Sequence, residues 1–191
     1  MVPLARQVME LREDLYEFTG GLVSQATQAE KGAHMPLEIF PAYDQLDNIR
    51  MLFTEYVQML GVDLSFQKYD EEFARLPGKY STPDGMLLIA HYNEKPAGCM
   101  AYRRFDSTAC EMKRLYVRPE FRGKKIGVSL VEQCLAAAKA VGYKRMLLDT
   151  LETLDKSVAI YRRQGFRETL PYYPNPYPGV LYFELNLAEY A

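Results

Sequence analysis

The run Glu111-Met-Lys-Arg-Leu-Tyr-Val-Arg-Pro-Glu-Phe-Arg-Gly-Lys-Lys-Ile-Gly127 reads as a strand, a loop and the start of a helix, in that order. Leu115, Tyr116 and Val117 are the apolar, aromatic and β-branched residues that suit a strand, and Pro119 stops it. From Ile126 the apolar positions fall at helical spacing, with Ile126, Leu130, Val131, Cys134, Leu135 and Ala138 on one side and Gly142 placed as a stop. The loop between them has a definite physical use. The first turn of a helix leaves backbone N–H groups without partners and carries partial positive charge, so an anion placed there meets donors and a favourable dipole. Gly123 and Gly127 allow close backbone approach, and Arg118, Arg122, Lys124 and Lys125 add charge. A solvated basic turn is the plainer reading of the same residues. Neither of two known phosphate loops, G-x-x-x-x-G-K-[ST] and G-x-G-x-x-G, is present in it.

Outward from this run, the chain alternates between strand and helix periods. Residues 86–92 and 96–104 read as strands flanking the turn Asn93-Glu94-Lys95, and Asp106-Ser107 leads into a strand over 109–117, giving an antiparallel meander. Before the meander come a short strand over 37–41, an amphipathic helix over 43–60 and a short helical piece near 69–76. After it come a strand over 144–150, a helix over 155–164 stopped by Gly165, and strands near 166–169 and 180–187. Pro171-Tyr-Tyr-Pro-Asn-Pro-Tyr-Pro-Gly179 is a stiff, aromatic loop. The pattern is that of a mixed α/β domain. Residues 3–31 carry Leu4, Val8, Leu11, Leu15, Phe18 and Leu22 at alternating spacings of four and three, interrupted at Thr19-Gly20-Gly21. That seam needs a partner surface, on its own domain or on a second subunit. Gly32-Ala33-His34-Met35 looks like a cloning junction, so residues 1–34 are either a native helical segment or an added or misassigned extension, and the domain proper is expected over 35–191.

Composition narrows the function classes. With 191 residues, 48% hydrophobic and 25% charged, the chain is long enough for a substantial core and short enough for one domain. A formal net charge of -2 gives no bias towards nucleic acid or a membrane surface, and no basic helix face is present. Cys99, Cys110 and Cys134 have no metal-ligand spacing. With a two-residue hairpin at Asp106-Ser107, position 99 falls opposite 114 and 110 opposite 103, which keeps Cys99 and Cys110 apart. The three read as reduced core thiols of a cytoplasmic protein. Only His34 and His91 offer imidazoles, so no metal site is expected. No apolar run of ~18 residues and no charged-then-apolar leader is present, so neither a membrane span nor a signal peptide is expected.

Arg122-Gly-Lys-Lys-Ile-Gly127, preceded by a strand ending in Tyr-Val-Arg-Pro-Glu, resembles the R/Q-x-x-G-x-G/A acetyl-CoA loop of the GNAT superfamily of N-acetyltransferases. Ala159-Ile-Tyr-Arg-Arg-Gln-Gly-Phe166 resembles the family's "LYEKLGF" helix end, in the right order and at the right separation. The likeness runs from Leu37 to Leu187, about four fifths of the chain. One position departs from the pattern: Lys125 stands where the loop usually has its first glycine. The resemblance implies an α/β (α+β) fold, with a mixed, mostly antiparallel central sheet flanked by helices, to which the N-terminal helical segment is extra. It implies acetyl-CoA as co-substrate, no metal, and direct transfer in a ternary complex to the primary amine of a small molecule or peptide. The cofactor would be held by Arg122, Gly123, Lys124, Lys125, Ile126, Gly127 and Val128, and by the backbone of Leu115, Tyr116 and Val117 in a strand that splays from 144–150. Ser157 sits where the family keeps a small residue against the cofactor. Leu154 stands where an asparagine is frequent, so one pantetheine hydrogen bond is missing or comes from Asp155.

Acyl transfer from a thioester to an amine needs a neutral amine, a stabilised oxyanion and a protonated leaving thiolate. A primary amine with pKa near ~10.4 is only roughly one part in a thousand neutral at pH 7, so a base in reach is useful. Glu111 stands at the position of the base glutamate in those GNAT members that have one, and strand alternation puts it on a face with Lys113, Leu115 and Val117. A strand glutamate paired with Lys113 or Arg104 is the plainer reading. Tyr161, four residues before Gly165, stands where the family has its thiolate-protonating tyrosine; against this, the chain has 15 tyrosines, and a core role is ordinary. The resemblance places Tyr172, Tyr173 and Tyr177 near the acceptor mouth, as an aromatic wall for the amine or as an unselective lid. Tyr56, Phe66 and Phe73 are substrate contacts or core. The rival to an enzyme is a non-catalytic acyl-CoA-binding sensor or scaffold module, which would need neither Tyr161 nor Glu111. A homodimer is the default expectation for assembly.

Overall fold

The computed structural model describes residues 36–190. The expected helix over 3–31 and the junction at 32–35 lie outside the described residues. The elements are β1 (Leu37–Pro41), α1 (Leu46–Leu60), α2 (Tyr69–Ala74), β2 (Met86–Tyr92), β3 (Lys95–Arg104), β4 (Ala109–Val117), α3 (Ile126–Val141), β5 (Arg145–Leu151), α4 (Asp155–Arg163), β6 (Arg167–Glu168) and β7 (Val180–Asn186). The strands form a seven-stranded sheet in the order β1-β2-β3-β4-β5-β7-β6. Every neighbouring pair is antiparallel except β4 with β5, so the mixed, mostly antiparallel sheet is as expected. Helices α3 and α4 cover one face, where Ile126, Leu130 and Val158 join Leu88, Met100 and Phe183 in one apolar cluster. Helix α1 covers the other, with Ile49, Leu52 and Phe53 clustered with Leu87, Ile89 and Ala101. Strand β2 is therefore buried on both sides, which is why Met86-Leu-Leu-Ile-Ala90 is apolar without alternation.

Two turns differ from expectation, and both differences set register. Asn93 and Glu94 have φ of 49° and 64°, so they alone form the β2–β3 turn and Tyr92 pairs with Lys95. Two successive positive φ values match the twist of a tight hairpin, and asparagine tolerates them. Between β3 and β4, the Asp106 carboxylate accepts the N–H groups of Thr108 at 2.7 Å and Ala109 at 2.8 Å. This side-chain bracket builds a longer connection over 105–108 in place of the two-residue hairpin. Arg103 consequently faces Glu111, and Cys110 faces Arg104 rather than 103. Cys99 lies opposite Tyr116, not 114, and all three cysteines are free and buried.

A further irregularity lies inside β4. Arg114 has φ 61°, and the β3–β4 register shifts between Cys99 and Ala101, which marks a bulge. A non-glycine residue in this conformation costs on the order of 1–2 kcal/mol. The bulge breaks the alternation assumed from the sequence: Leu115 and Val117 turn with Met112 to the α3 side, and Tyr116 goes to the α1 side. Glu111 therefore shares a face with Lys113 and not with Leu115 and Val117. Beyond Glu111 the strands β4 and β5 also part. Their ladder runs over Ala109↔Arg145, Cys110↔Met146 and Glu111↔Leu147 and ends there. On their outer sides β4 stays paired with β3 to Val117, and β5 with β7 to Leu151.

Candidate active site

A cleft opens where β4 and β5 part. Lys113, Arg114 and Leu115 of β4 and Asp149, Thr150 and Leu151 of β5 line it, with Ser157 and Tyr161 of α4. The same cleft is lined by Tyr56 of α1, by Phe66 and Gln67 beyond it, and by Asn175 and Tyr177. Tyr161 is buried, its ring 5.8 Å from that of Phe166 and 6.3 Å from that of Phe183. Burial pushes its phenol far above the ordinary value, with Tyr56 and Asp149 adding to the effect. The hydroxyl thus stays protonated beside the cleft.

Helix α3 begins at the sequence motif. Lys125 is its N-cap residue, with φ 61°, the conformation that the usual glycine takes freely. No side chain caps the first turn, so its leading N–H groups remain open to an outside acceptor. A Cβ at Gly127 would stand 3.3 Å from Ile160 Cδ1 and 3.7 Å from Val117 Cγ2, so glycine here lets α3 settle on α4 and β4. The loop's cations are not equivalent. Arg118, expected to add charge, spends it on Glu55 through bonds of 2.7 and 2.9 Å and donates a third to the Pro96 carbonyl at 2.8 Å. Arg122 folds back, its Nε donating to the Val117 carbonyl at 3.1 Å. Lys124 Nζ stands 4.7 Å from the centre of the Tyr92 ring.

Glu111 is fully buried and does not line the cleft. Its Oε2 accepts Arg103 Nε and Nη2, each at 2.7 Å, and its Oε1 accepts Lys113 Nζ at 2.9 Å and the Tyr172 hydroxyl at 3.2 Å. The register explains why the arginine is Arg103 and not Arg104. Lys113 Nζ also reaches Asp149 Oδ1 at 2.6 Å, and the Tyr173 hydroxyl donates to Asp149 Oδ2 at 2.6 Å. Burial works to raise the Asp149 carboxyl, but the Lys113 charge and the bonds from Lys113 and Tyr173 outweigh it and hold the group below the usual aspartate range. Arg114, in turn, grips Glu72 of α2 with Nε and Nη2 at 2.8 and 2.9 Å, while Nη1 donates to Gln67 at 3.3 Å. Lys79 adds a 2.7 Å ion pair and the Tyr80 hydroxyl a 2.8 Å bond to the same carboxylate.

The tyrosine loop divides its labour. Tyr172 and Tyr173, expected as an aromatic wall, stack on Tyr182 at 5.2 and 5.7 Å and spend their hydroxyls on Glu111 and Asp149. They dock the loop on the buried carboxylates, and of the three only Tyr177 lines the cleft. The Tyr177 hydroxyl accepts the Asp63 N–H at 2.8 Å and donates to the Asp63 carbonyl at 2.9 Å, with its ring 5.8 Å from that of Phe66. Gln67 donates to the Tyr173 hydroxyl at 3.1 Å, completing a clasp between residues 61–67 and the loop. Tyr56 and Phe66 line the cleft, whereas Phe73 packs on Tyr69 at 5.8 Å. Leu154 and Ser157 line it and Asp155 does not. Sequence reasoning passed over Asp149, Arg114, Gln67 and Asn175. Asp149 did carry a signal, as the lone charge in the apolar run Met146-Leu-Leu-Asp-Thr-Leu151.

Residues 46–166 match the model of the acetyltransferase (GNAT) family. The chain belongs to the GNAT acetyltransferase family. As a GNAT protein it is an acyltransferase. An uncharacterized N-acetyltransferase of Schizosaccharomyces pombe is 46% identical to it over 146 residues, covering 75% of this chain and 90% of the relative. One of Dictyostelium discoideum is 36% identical over 203 residues, covering 74% and 94%. Among solved structures, an acetyltransferase from Streptococcus agalactiae superposes with a TM-score of 0.66 at 24% identity, over 80% of this chain and 99% of that one. A GNAT family acetyltransferase from Elizabethkingia anophelis with acetyl-CoA bound gives 0.54 at 22%, over 80% and 99%. Among the described residues of this GNAT chain, no helix is long and apolar enough to cross a membrane, and no group of three or more His, Cys, Asp or Glu is placed to hold a metal.

Proposed function

We propose that this acetyltransferase binds acetyl-CoA between β4 and β5 and passes the acetyl group to a primary amine in a direct ternary complex. The observation that carries this is the early end of the β4–β5 ladder at Glu111↔Leu147, with Tyr161 lining the gap and the uncapped first turn of α3 set against Val117 and Ile160 at Gly127. A cofactor arm with two amides suits that gap, because the inner sides of Leu115, Tyr116 and Val117 can bond it as they would another strand. Gly123, Lys124 and Lys125 lead into the α3 turn at Ile126, Gly127 and Val128, which takes the pyrophosphate. Ser157 leaves room for the arm. Bound there, acetyl-CoA supplies the thioester carbonyl that the amine attacks and the thiolate that leaves. Tyr161 holds at its hydroxyl the proton that the sulfur takes. Backbone N–H groups of β4 steady the developing oxyanion.

Of the cleft-lining side chains Glu111 bonds Lys113, and away from the cleft it anchors Tyr172 of the tyrosine loop. We assign it the fixing of those two groups, with any part in proton removal exerted through Lys113. The catalytic unit is the domain over 35–191, and the buried free thiols favour a cytoplasmic setting. The bound acetyl-CoA of the Elizabethkingia neighbour and the N-acetyltransferase relatives support the cofactor and the amine. Calorimetric titration with acetyl-CoA, beside CoA and dephospho-CoA, tests it. Stoichiometric binding in the micromolar range is expected, weaker for dephospho-CoA; a folded protein that binds none of them overturns the reading.

A further inference from the structure

We infer that Asp149 receives the acceptor's nitrogen and that the acceptor is a primary amine on an apolar body, an alkylamine or arylalkylamine. This rests on the acetyl-CoA reading above. Among the described residues Asp149 is the one carboxylate lining the cleft, on the strand that faces β4 across the gap. Each of its oxygens has a single donor, from Lys113 and from Tyr173. A carboxylate has about four acceptor sites, so an N–H of the acceptor has a place.

The charges agree. Glu111 is met by Arg103 and Lys113, and Glu72 by Arg114 and Lys79, whereas Asp149 meets only Lys113, which it shares with Glu111. Asp149 is therefore the one of the three carboxylates without a cation of its own, and an amine nitrogen is welcome at its free acceptor sites. The body of the acceptor meets Leu60, Val62, Leu64 and Phe66, which follow one another out of α1, with the rings of Tyr56 and Tyr177. No second carboxylate in the wall awaits the further charge of a polyamine. The cations that would hold an amino acid's carboxylate are already paired.

In the transfer, the ammonium proton passes to water beside Asp149, and the freed nitrogen lone pair forms the C–N bond as the thioester C–S bond breaks. The nitrogen turns cationic as that bond forms, and an ionised carboxylate beside it lowers the energy of that charge. Its surplus proton leaves past Asp149 to water, and the thiolate takes one from Tyr161, which solvent restores.

The test uses 2-phenylethylamine, hexylamine, spermidine and free lysine with acetyl-CoA, read by thiol release, for the wild type and Asp149→Asn. In parallel, 2-phenylethylamine and 2-phenylethanol are titrated into the CoA-loaded wild type and variant. The apolar amines should exceed spermidine and lysine at least about tenfold in kcat/KM. Asp149→Asn should lower that value about 10- to 100-fold, the worth of a charge-assisted hydrogen bond, and erase the preference for amine over alcohol. A variant that turns over the amines as well as wild type, a wild type that binds amine and alcohol alike, or a preference for spermidine or lysine overturns the inference and leaves the proposed function standing. If the variant no longer binds CoA, the wild-type amine preference and acceptor ranking decide. Absence of acetyl-CoA binding by the wild type overturns the proposed function itself.

Discussion

At the scale of single residues, the proposed function gives Tyr161 the chemistry and Glu111 the support. Tyr161→Phe keeps the ring contacts with Phe166 and Phe183 and deletes only the proton donor. Turnover should fall about 100-fold or more while acetyl-CoA affinity stays within about twofold, measured by steady-state kinetics and calorimetry. Unchanged turnover would remove Tyr161 from the mechanism. Glu111→Gln leaves Arg103 and Lys113 facing a neutral group in a buried site, so it should cost about 3–5 kcal/mol of stability in urea unfolding. A variant of native stability and low kcat would instead make Glu111 a working base. Tyr161 was legible in the sequence because its distance from Gly165 is a local fact. The company that Glu111 keeps was not, since it depends on the Asp106 bracket and on the bulge at Arg114. An arginine with positive φ leaves no mark of the kind a glycine leaves.

At the scale of elements, α2 shows how a helix too short to stand alone is held. It has six residues, and isolated helices of that length do not persist in water. Its anchor is Glu72 on Arg114 of β4, which also fixes the bulge that shapes the cleft. Burial works to raise the Glu72 carboxyl, but Arg114 and Lys79 bring it down from 4.5 to about 2. A folded-state value below the unfolded one means stability that is complete above about 4.5 and lost as pH falls towards 2. Wild-type protein should therefore lose stability across that window. Glu72→Gln should begin about 3 kcal/mol lower and show a flatter dependence there, seen in urea unfolding at several pH values; parallel curves would deny the pair this role. The elements themselves were legible from periodicity, and Gly61, Gly142 and Gly165 ended helices where they stood. Turn lengths were not, because a side chain bonding its own loop adds residues without changing the strand pattern.

For the whole molecule, the gap in the sheet links folding to cofactor. On the proposed reading acetyl-CoA bonds the native strands and not the unfolded chain, so a concentration 100-fold above Kd should add about 2.7 kcal/mol. Thermal unfolding should rise by roughly 5 °C or more, and free amines without cofactor should not reproduce it. A flat melting temperature across the titration would mean that the folded chain does not bind acetyl-CoA. The meander of β2, β3 and β4 was legible because its partners are neighbours in sequence. The insertion of β7 between β5 and β6 was not, since pairing at that distance depends on how whole elements pack. The parting of β4 and β5 has one more consequence. The bare flank of a strand is where proteins stick to one another, so natural sheets blunt or cover their margins. Here such flanks lie at the centre of the sheet, in a cleft lined by residues of the helices and of the tyrosine loop. The acetyltransferase thus keeps its stickiest backbone indoors, and a feature that elsewhere seeds aggregation is, on the proposed reading, a berth.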